Sequence, residues 1–409
     1  MPASIQSVWA LARSGDWLNR QRLAAYGGIL LVMEILVFLF MVAGTHGWIV
    51  RLSSPTTTDF VSFYAAGHLA ATGHAASAYV QAAHWAAEQQ ATAVGIPDVV
   101  FFYPPVFMLL LAPIARLPYL VAFVVFETGT LVASLLVIKR ILPWGKNDRA
   151  MWLPLLAFPV VFINYGLGQN AFLTAALLGG AMLLIDRRPV LAGILIGAMC
   201  YKPHFGLLIP IALLAGRRWT GIAAAAATVA ALVLLSVGFF GLDTWRSFIA
   251  AFTASHTIYE SGEVDFAAFV SPFGALRLLG VHPGAAYAGQ AVASLCAAAM
   301  VAYVWAKDMS LPVRAAVLAA ATIVAVPLTL FYDLMLAGVA IAWLIRAGIE
   351  RGFLAWERVI LIGLYLAPWL VRGFGRTLHI PLGVVTTLVL LGLCAARARA
   401  ESGYAGVKP

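Results

Sequence analysis

The residues of this chain that could do chemistry are few and lie far apart. Asp59 follows Thr56, Thr57 and Thr58 and precedes an apolar segment at 60–71. A carboxylate there can cap the helix, or take a proton from an attacking hydroxyl if one oxygen stays free. An apolar wall beside it would raise its pKa towards that task. Lys202 lies in Cys200-Tyr201-Lys202-Pro203-His204, where Pro203 breaks a helix. Such a lysine either snorkels to the membrane interface or binds a phosphate, with His204 as a second donor. Asn164-Tyr165-Gly166-Leu167-Gly168-Gln169-Asn170 is a polar break between apolar runs. Its glycines allow a tight turn that brings backbone N–H groups near a helix start. An interhelical turn explains it equally well, and no Gly-Lys-Thr follows. Asp333, after Phe331-Tyr332, either caps the next helix or lines the same pocket. Glu34 and Glu127 lie inside apolar runs, and no role follows for them.

The elements that must hold these residues are membrane helices. Of 409 residues, 63% are hydrophobic and 11% charged, against roughly 25% charged in soluble domains. Such a chain cannot cover a water-facing surface. The mean hydropathy of +0.93 agrees. The net charge of +9 sits in small clusters between apolar runs. That is the pattern of cytoplasmic loops, and no basic patch interleaved with aromatics suggests a nucleic acid. Cys200, Cys296 and Cys394 form no Cys-x-x-Cys pair, so neither a disulfide framework nor a zinc site is implied.

Arg13, Arg20 and Arg22 precede an apolar run at 26–45. This is expected to be an uncleaved first helix with a cytoplasmic N-terminus. A polar first external loop at 46–100 follows, with short amphipathic helices at 60–71 and 77–94 lying on the membrane surface. In the second, Tyr79, Ala83 and Ala86 face one side and Gln81, Glu88 and Gln89 the other. Further apolar runs lie at 118–138, 151–164, 170–185, 189–201, 205–214 and 220–240. A second external loop spans 241–266. Beyond it are runs at 285–306, 311–328, 334–345, 358–370 and 380–395. Basic clusters order them: Lys139, Arg140, Lys146 and Arg149, then Arg187 with Arg188, Arg217 with Arg218, Lys307 with Arg314, and Arg346 with Arg351. If all face the cytoplasm, the piece at 103–114 must be re-entrant or interfacial. About twelve crossings result, in one all-α domain over 1–409 with a cytoplasmic C-terminus. Asp59, Tyr64, His68, Tyr103, Asn164, Tyr165, Gln169, Asn170, Lys202, His204, His256, Tyr332 and Asp333 then share the external face.

These residues fall into an ordered set of motifs. Asp59-Phe60 with Tyr64-Ala65-Ala66-Gly67, then Tyr79, then Phe102-Tyr103-Pro104-Pro105, resembles the first-loop pattern of the family 87 glycosyltransferases. Tyr165-Gly166-Leu167-Gly168-Gln169-Asn170 is similar to that family's Asn-Gly-Gln turn. Tyr201-Lys202-Pro203 resembles its lysine motif, and Pro327 with Tyr332-Asp333-Leu334 its C-terminal one. One departure stands out: the turn reads Gly-Leu-Gly-Gln, so Asn164 or Asn170 must take the place of the expected asparagine. The resemblance implies a C-type glycosyltransferase bundle in a bacterial inner membrane. A catalytic carboxylate sits in the first external loop, and a sugar, best known as mannose, arrives on polyprenyl phosphate. Asp59 would be the catalytic base, and Lys202 with His204 would bind the donor phosphate. Tyr64, Tyr103, Asn164, Gln169, His256, Tyr332 and Asp333 would contact substrate. The partners would be the lipid-linked donor, a lipid or glycan acceptor, and membrane lipids. With no Asp-x-Asp motif and no histidine cluster, neither metal nor cofactor is expected. The competing class is a transporter or flippase of lipid-linked sugars, which also needs broken helices. The lack of an inverted repeat counts against it.

Overall fold

The structure, a computed structural model, describes residues 3–44, 58–145, 148–254 and 264–405. The described residues are helical with no β-strand, apart from one isolated bridge between Phe269 and Leu330. Among the described residues, six helices are long and apolar enough to cross a membrane: Arg20–Phe40, Tyr119–Ile141, Trp219–Phe240, Pro283–Ala306, Phe331–Arg351 and Leu382–Ser402. Two bent pairs bring the number to as many as eight if each pair is one broken span. Arg149–Leu156 with Pro159–Leu167 bends by 57°, and Glu357–Leu366 with Pro368–Leu378 by 64°. Each second half opens on a proline, which has no N–H to continue the ladder.

The count of about twelve is not reached on length. The 14 residues of Ala171–Leu184 rise about 21 Å, short of a hydrocarbon core of about 30 Å. Pro189–Tyr201, Pro203–Ala215 and Leu311–Ala325 are likewise apolar but short. Burial explains why they can be short: every residue from Pro312 to Ala325 is covered by other helices. Pro105–Ile114 has ten residues and cannot cross alone.

The segment 58–100 differs from the expected pair of surface-lying helices. Phe60–Ala71 is buried on nearly every side. A Cβ on Gly67 would lie 2.6 Å from the Leu111 carbonyl oxygen, so a glycine is needed for the helix to meet Pro105–Ile114 this closely. An aromatic cluster of Phe60, Phe63, Tyr103, Phe107 and Phe126 fills the contact. The second helix begins later, at Gln81–Ala91, because Val80 is extended. Its buried stripe is His84, Ala87 and Glu88. Glu88 therefore faces inwards, where the sequence pattern places it on the polar side.

Charge separates the two ends of the bundle. Arg218 and Arg314 bind Asp186 at 2.9 and 2.7 Å, and Arg218 binds Asp308 at 3.1 Å. Three of the expected basic clusters thus meet at one end. The same helices carry Asn170 and Asp333 at or beyond their opposite ends, with Asp59 and Lys202.

Candidate active site

The site is built on a glycine turn. Gly168 ends the Pro159–Leu167 helix with φ +68°, a left-handed conformation that favours glycine. A Cβ there would lie 2.7 Å from Phe60 Cβ and 3.0 Å from Thr58 Oγ1. The turn can therefore lie against the start of the Phe60–Ala71 helix. The Asp59 N–H donates to the Leu167 carbonyl at 2.8 Å. Asn164 locks the turn from within. Its amide nitrogen donates to the Gln169 carbonyl at 2.8 Å, and its amide oxygen accepts from the Ala171 N–H at 3.2 Å. Glu127 Oε2 accepts a further bond from Asn164 at 3.3 Å. Both asparagine polar atoms are thus spent on structure.

Asp59 occupies the cap position of its helix, but its carboxylate makes no capping bond. Oδ2 instead accepts from Gln169 Nε2 at 2.7 Å. Among the described residues, nothing donates a hydrogen bond to the other oxygen. Burial raises the Asp59 pKa above the usual aspartate value, while the Gln169 bond and the Arg372 charge pull it down.

The lysine centre lies across Asn170. Lys202 sits between two 3₁₀ turns in a non-helical conformation, φ −132° and ψ 68°. Its ammonium donates to Asp333 Oδ1 at 2.7 Å and to Asn170 Oδ1 at 3.2 Å. The pair is sealed: Lys202 is 4% exposed and Asp333 1%. Phe205 and Tyr332 place their rings 4.8 and 5.4 Å from the ammonium. Asp333 Oδ2 accepts from the Leu330 N–H at 3.1 Å, so the carboxylate does cap its turn. Neighbouring Tyr201 shares a bond of 2.5 Å with Thr174 and stacks on Phe107.

Tyr103 joins the two centres. Its half-buried phenol lies beside Asn170, within electrostatic reach of both Asp59 and Asp333, and desolvation pushes its pKa up. Two buried polar atoms at 169–170 have no hydrogen-bond partner, Gln169 Oε1 and Asn170 Nδ2. An acceptor and a donor left unsatisfied beside a carboxylate mark a place for a polar ligand.

The remaining expected residues divide. Tyr332 borders the lysine. Tyr64 turns away and donates to the Leu117 carbonyl at 2.9 Å. His204 is exposed beside Phe205 and makes no hydrogen bond to the Lys202–Asp333 pair. His256 lies outside the described residues. Asn170 takes the bridging place between the centres, while Asn164 braces the turn. Sequence reasoning also missed Arg372, which lies over the Phe331 ring at 5.4 Å and shares Asp265 with Arg376, at 2.9 and 2.7 Å. Two arginines four residues apart on a helix were the available signal. His84, Glu88 and Asp98 form another cluster that spacing did not reveal. An apolar cavity of about 880 Å³ between Leu30, Phe158, Met335 and Tyr365 is separate from these centres.

A family model described as glycosyltransferase family 87 matches residues 101–331, more than half of the chain. No curated protein and no solved structure matches. The matched stretch contains Gln169, Asn170 and Lys202. Asp59 precedes it, and Asp333 and Arg372 follow it.

Proposed function

The chain belongs to glycosyltransferase family 87, and we propose that it moves a hexose, mannose in the first instance, from polyprenyl phosphate to a lipid or glycan acceptor. The family and the apolar helices make the protein a multi-pass membrane glycosyltransferase. The observation that carries the mechanism is Asp59. Its carboxylate is not spent on capping, is held by Gln169 and keeps one oxygen open. That oxygen takes the acceptor hydroxyl proton while the acceptor oxygen attacks the anomeric carbon. The bond from that carbon to the phosphate oxygen breaks, and its electron pair leaves with the phosphate. The donor phosphodiester becomes a polyprenyl phosphate monoester, and one in-line displacement inverts the anomeric centre.

Stabilising charge on the leaving group is usually the largest contribution. Lys202 is balanced by Asp333, so the pair is neutral overall. Arg372 and Arg376 share the single charge of Asp265, leaving one net positive charge. We assign the phosphate to the space between Lys202 and Arg372, with Tyr103, Gln169, Asn170 and Tyr332 as the polar and aromatic walls for the sugar. Asn164 braces the turn behind this wall, and Tyr64 and His204 lie outside it. The external, periplasmic face of a bacterial inner membrane suits this site, which lies opposite the basic end.

A donor panel tests the reading. Purified protein is incubated with mannose labelled in the sugar, carried on polyprenyl phosphate or on a nucleoside diphosphate. Label leaves only the polyprenyl phosphate. Turnover of the nucleotide sugar alone would refute the donor class.

A further inference from the structure

The first external loop brings together three side chains that no step above uses. His84 and Glu88 lie one turn apart on the buried stripe of Gln81–Ala91, and Asp98 comes from the segment that follows. One ligand atom from each lies within 4.8 Å of the other two. The polar environment of each defines which lone pairs converge.

His84 Nε2 lies 3.2 Å from the Ser62 carbonyl oxygen. A carbonyl only accepts, so Nε2 carries the hydrogen. In the neutral ring Nδ1 is then unprotonated. The bare Nδ1 faces Glu88 Oε1 at 3.6 Å, beyond hydrogen-bond range. Glu88 is fully buried, and its Oε2 is taken by the Val99 N–H at 3.2 Å. Its Oε1 has no hydrogen-bond partner, and neither has Asp98 Oδ1. Asp98 Oδ2 is held by Gln81 Nε2 at 2.7 Å. Each of the three side chains is thus oriented by a bond through its other polar atom, and each turns a bare lone pair inwards. Three lone pairs repel one another unless a proton or a metal cation lies among them.

We propose that His84, Glu88 and Asp98 form a binding site for one divalent transition-metal ion. One imidazole and two carboxylates suit Zn²⁺ or Mn²⁺, with water completing the shell. A backbone carbonyl on the far nitrogen of the histidine is the usual support for a metal-binding imidazole. The His84–Glu88 separation of 3.6 Å is slightly wider than an edge of such a shell, since bonds of about 2.1 Å set ligands about 3.0–3.5 Å apart. Asp98, which is only partly buried, moves in to complete it. The ion would fasten residues 92–98 to Gln81–Ala91. Through the Ser62 carbonyl it would also fasten that helix to Phe60–Ala71, whose first turn follows Asp59. Its role is structural, in the loop that carries the catalytic base, and it does not depend on which sugar is transferred.

Binding itself is the test. Full-length protein is purified in detergent without a histidine tag and stripped with a chelator. It is titrated with Zn²⁺ against a chromogenic competitor, and with Mn²⁺ by electron paramagnetic resonance. Wild type takes up one equivalent of at least one ion, and its thermal midpoint rises. Glu88→Gln keeps the side-chain shape and loses the anionic oxygen, so affinity falls by more than about 10-fold. Asp98→Asn, at the more exposed position, does the same should Glu88→Gln fail to fold. No uptake of either ion by wild type would overturn the proposal, as would undiminished uptake by a folded variant.

Discussion

Replacing Gln169 by Met removes the hydrogen bond that Asp59 Oδ2 accepts at 2.7 Å and leaves the side-chain volume nearly unchanged. The bond favours the ionised carboxylate against the burial that raises its pKa. A hydrogen bond to a charged group contributes about 1.5–3 kcal/mol, and one pKa unit corresponds to about 1.4 kcal/mol. Losing the bond therefore raises the Asp59 pKa by about 1–2 units. Asp59 acts as base only when deprotonated, so transfer climbs with pH on the acid limb and levels off above the pKa. The variant's limb moves to higher pH by that amount. At a fixed pH on the limb its rate falls about 10–100-fold, and the deficit shrinks as pH rises. The assay is initial rate of sugar release from labelled polyprenyl-phosphate donor across pH, with Gln169→Glu as a second probe. A uniform rate loss with the limb unmoved would refute the electrostatic role of Gln169.

Three further outcomes follow from neighbouring contacts. Asp59 has a folded pKa above its unfolded value, so the folded state holds the extra proton and stability declines as pH rises through that interval; Asp59→Asn should melt higher than wild type at neutral pH, with the difference shrinking in acid, as thermal scans at several pH values would read. Lys202→Met leaves Asp333 buried and unpaired, at a cost of about 3–5 kcal/mol; the double variant Lys202→Met with Asp333→Leu should regain most of the melting temperature, yet remain inactive if Lys202 serves the phosphate. Gly168→Ala forces a Cβ against Phe60 and Thr58 at a positive φ, so it should cost about 1–3 kcal/mol and reduce transfer, whereas Ala at Gly238, where a Cβ meets nothing, should do neither.

Membrane class and the polar ends were legible because hydropathy and charge are one-dimensional signals. The runs at 118–138, 220–240 and 285–306 match helices, and three of the basic clusters share one end. The crossing count was not legible, because a buried helix such as Leu311–Ala325 reads like a lipid-facing one whatever its length. The site motifs were found through glycine and proline breaks in apolar runs, which are visible in sequence. Their partners were not. Gln169 is 110 residues from Asp59, Lys202 is 131 from Asp333, and no local spacing announces either pair. Glu88 was placed on the wrong face because helical periodicity assumes that polar residues face water. Here the Val99 N–H receives it inside. Arg372 was passed over because charge order alone reads arginines as topology markers.

The central claim is that Asp59 takes the acceptor proton. Asp59→Asn keeps the size of the side chain and removes the base, so the deciding measurement follows donor binding and sugar transfer together in wild type and this variant. The account predicts that Asp59→Asn binds labelled polyprenyl-phosphate sugar like wild type and transfers it at least about 10²-fold more slowly. Transfer at the wild-type rate by the folded variant would contradict it.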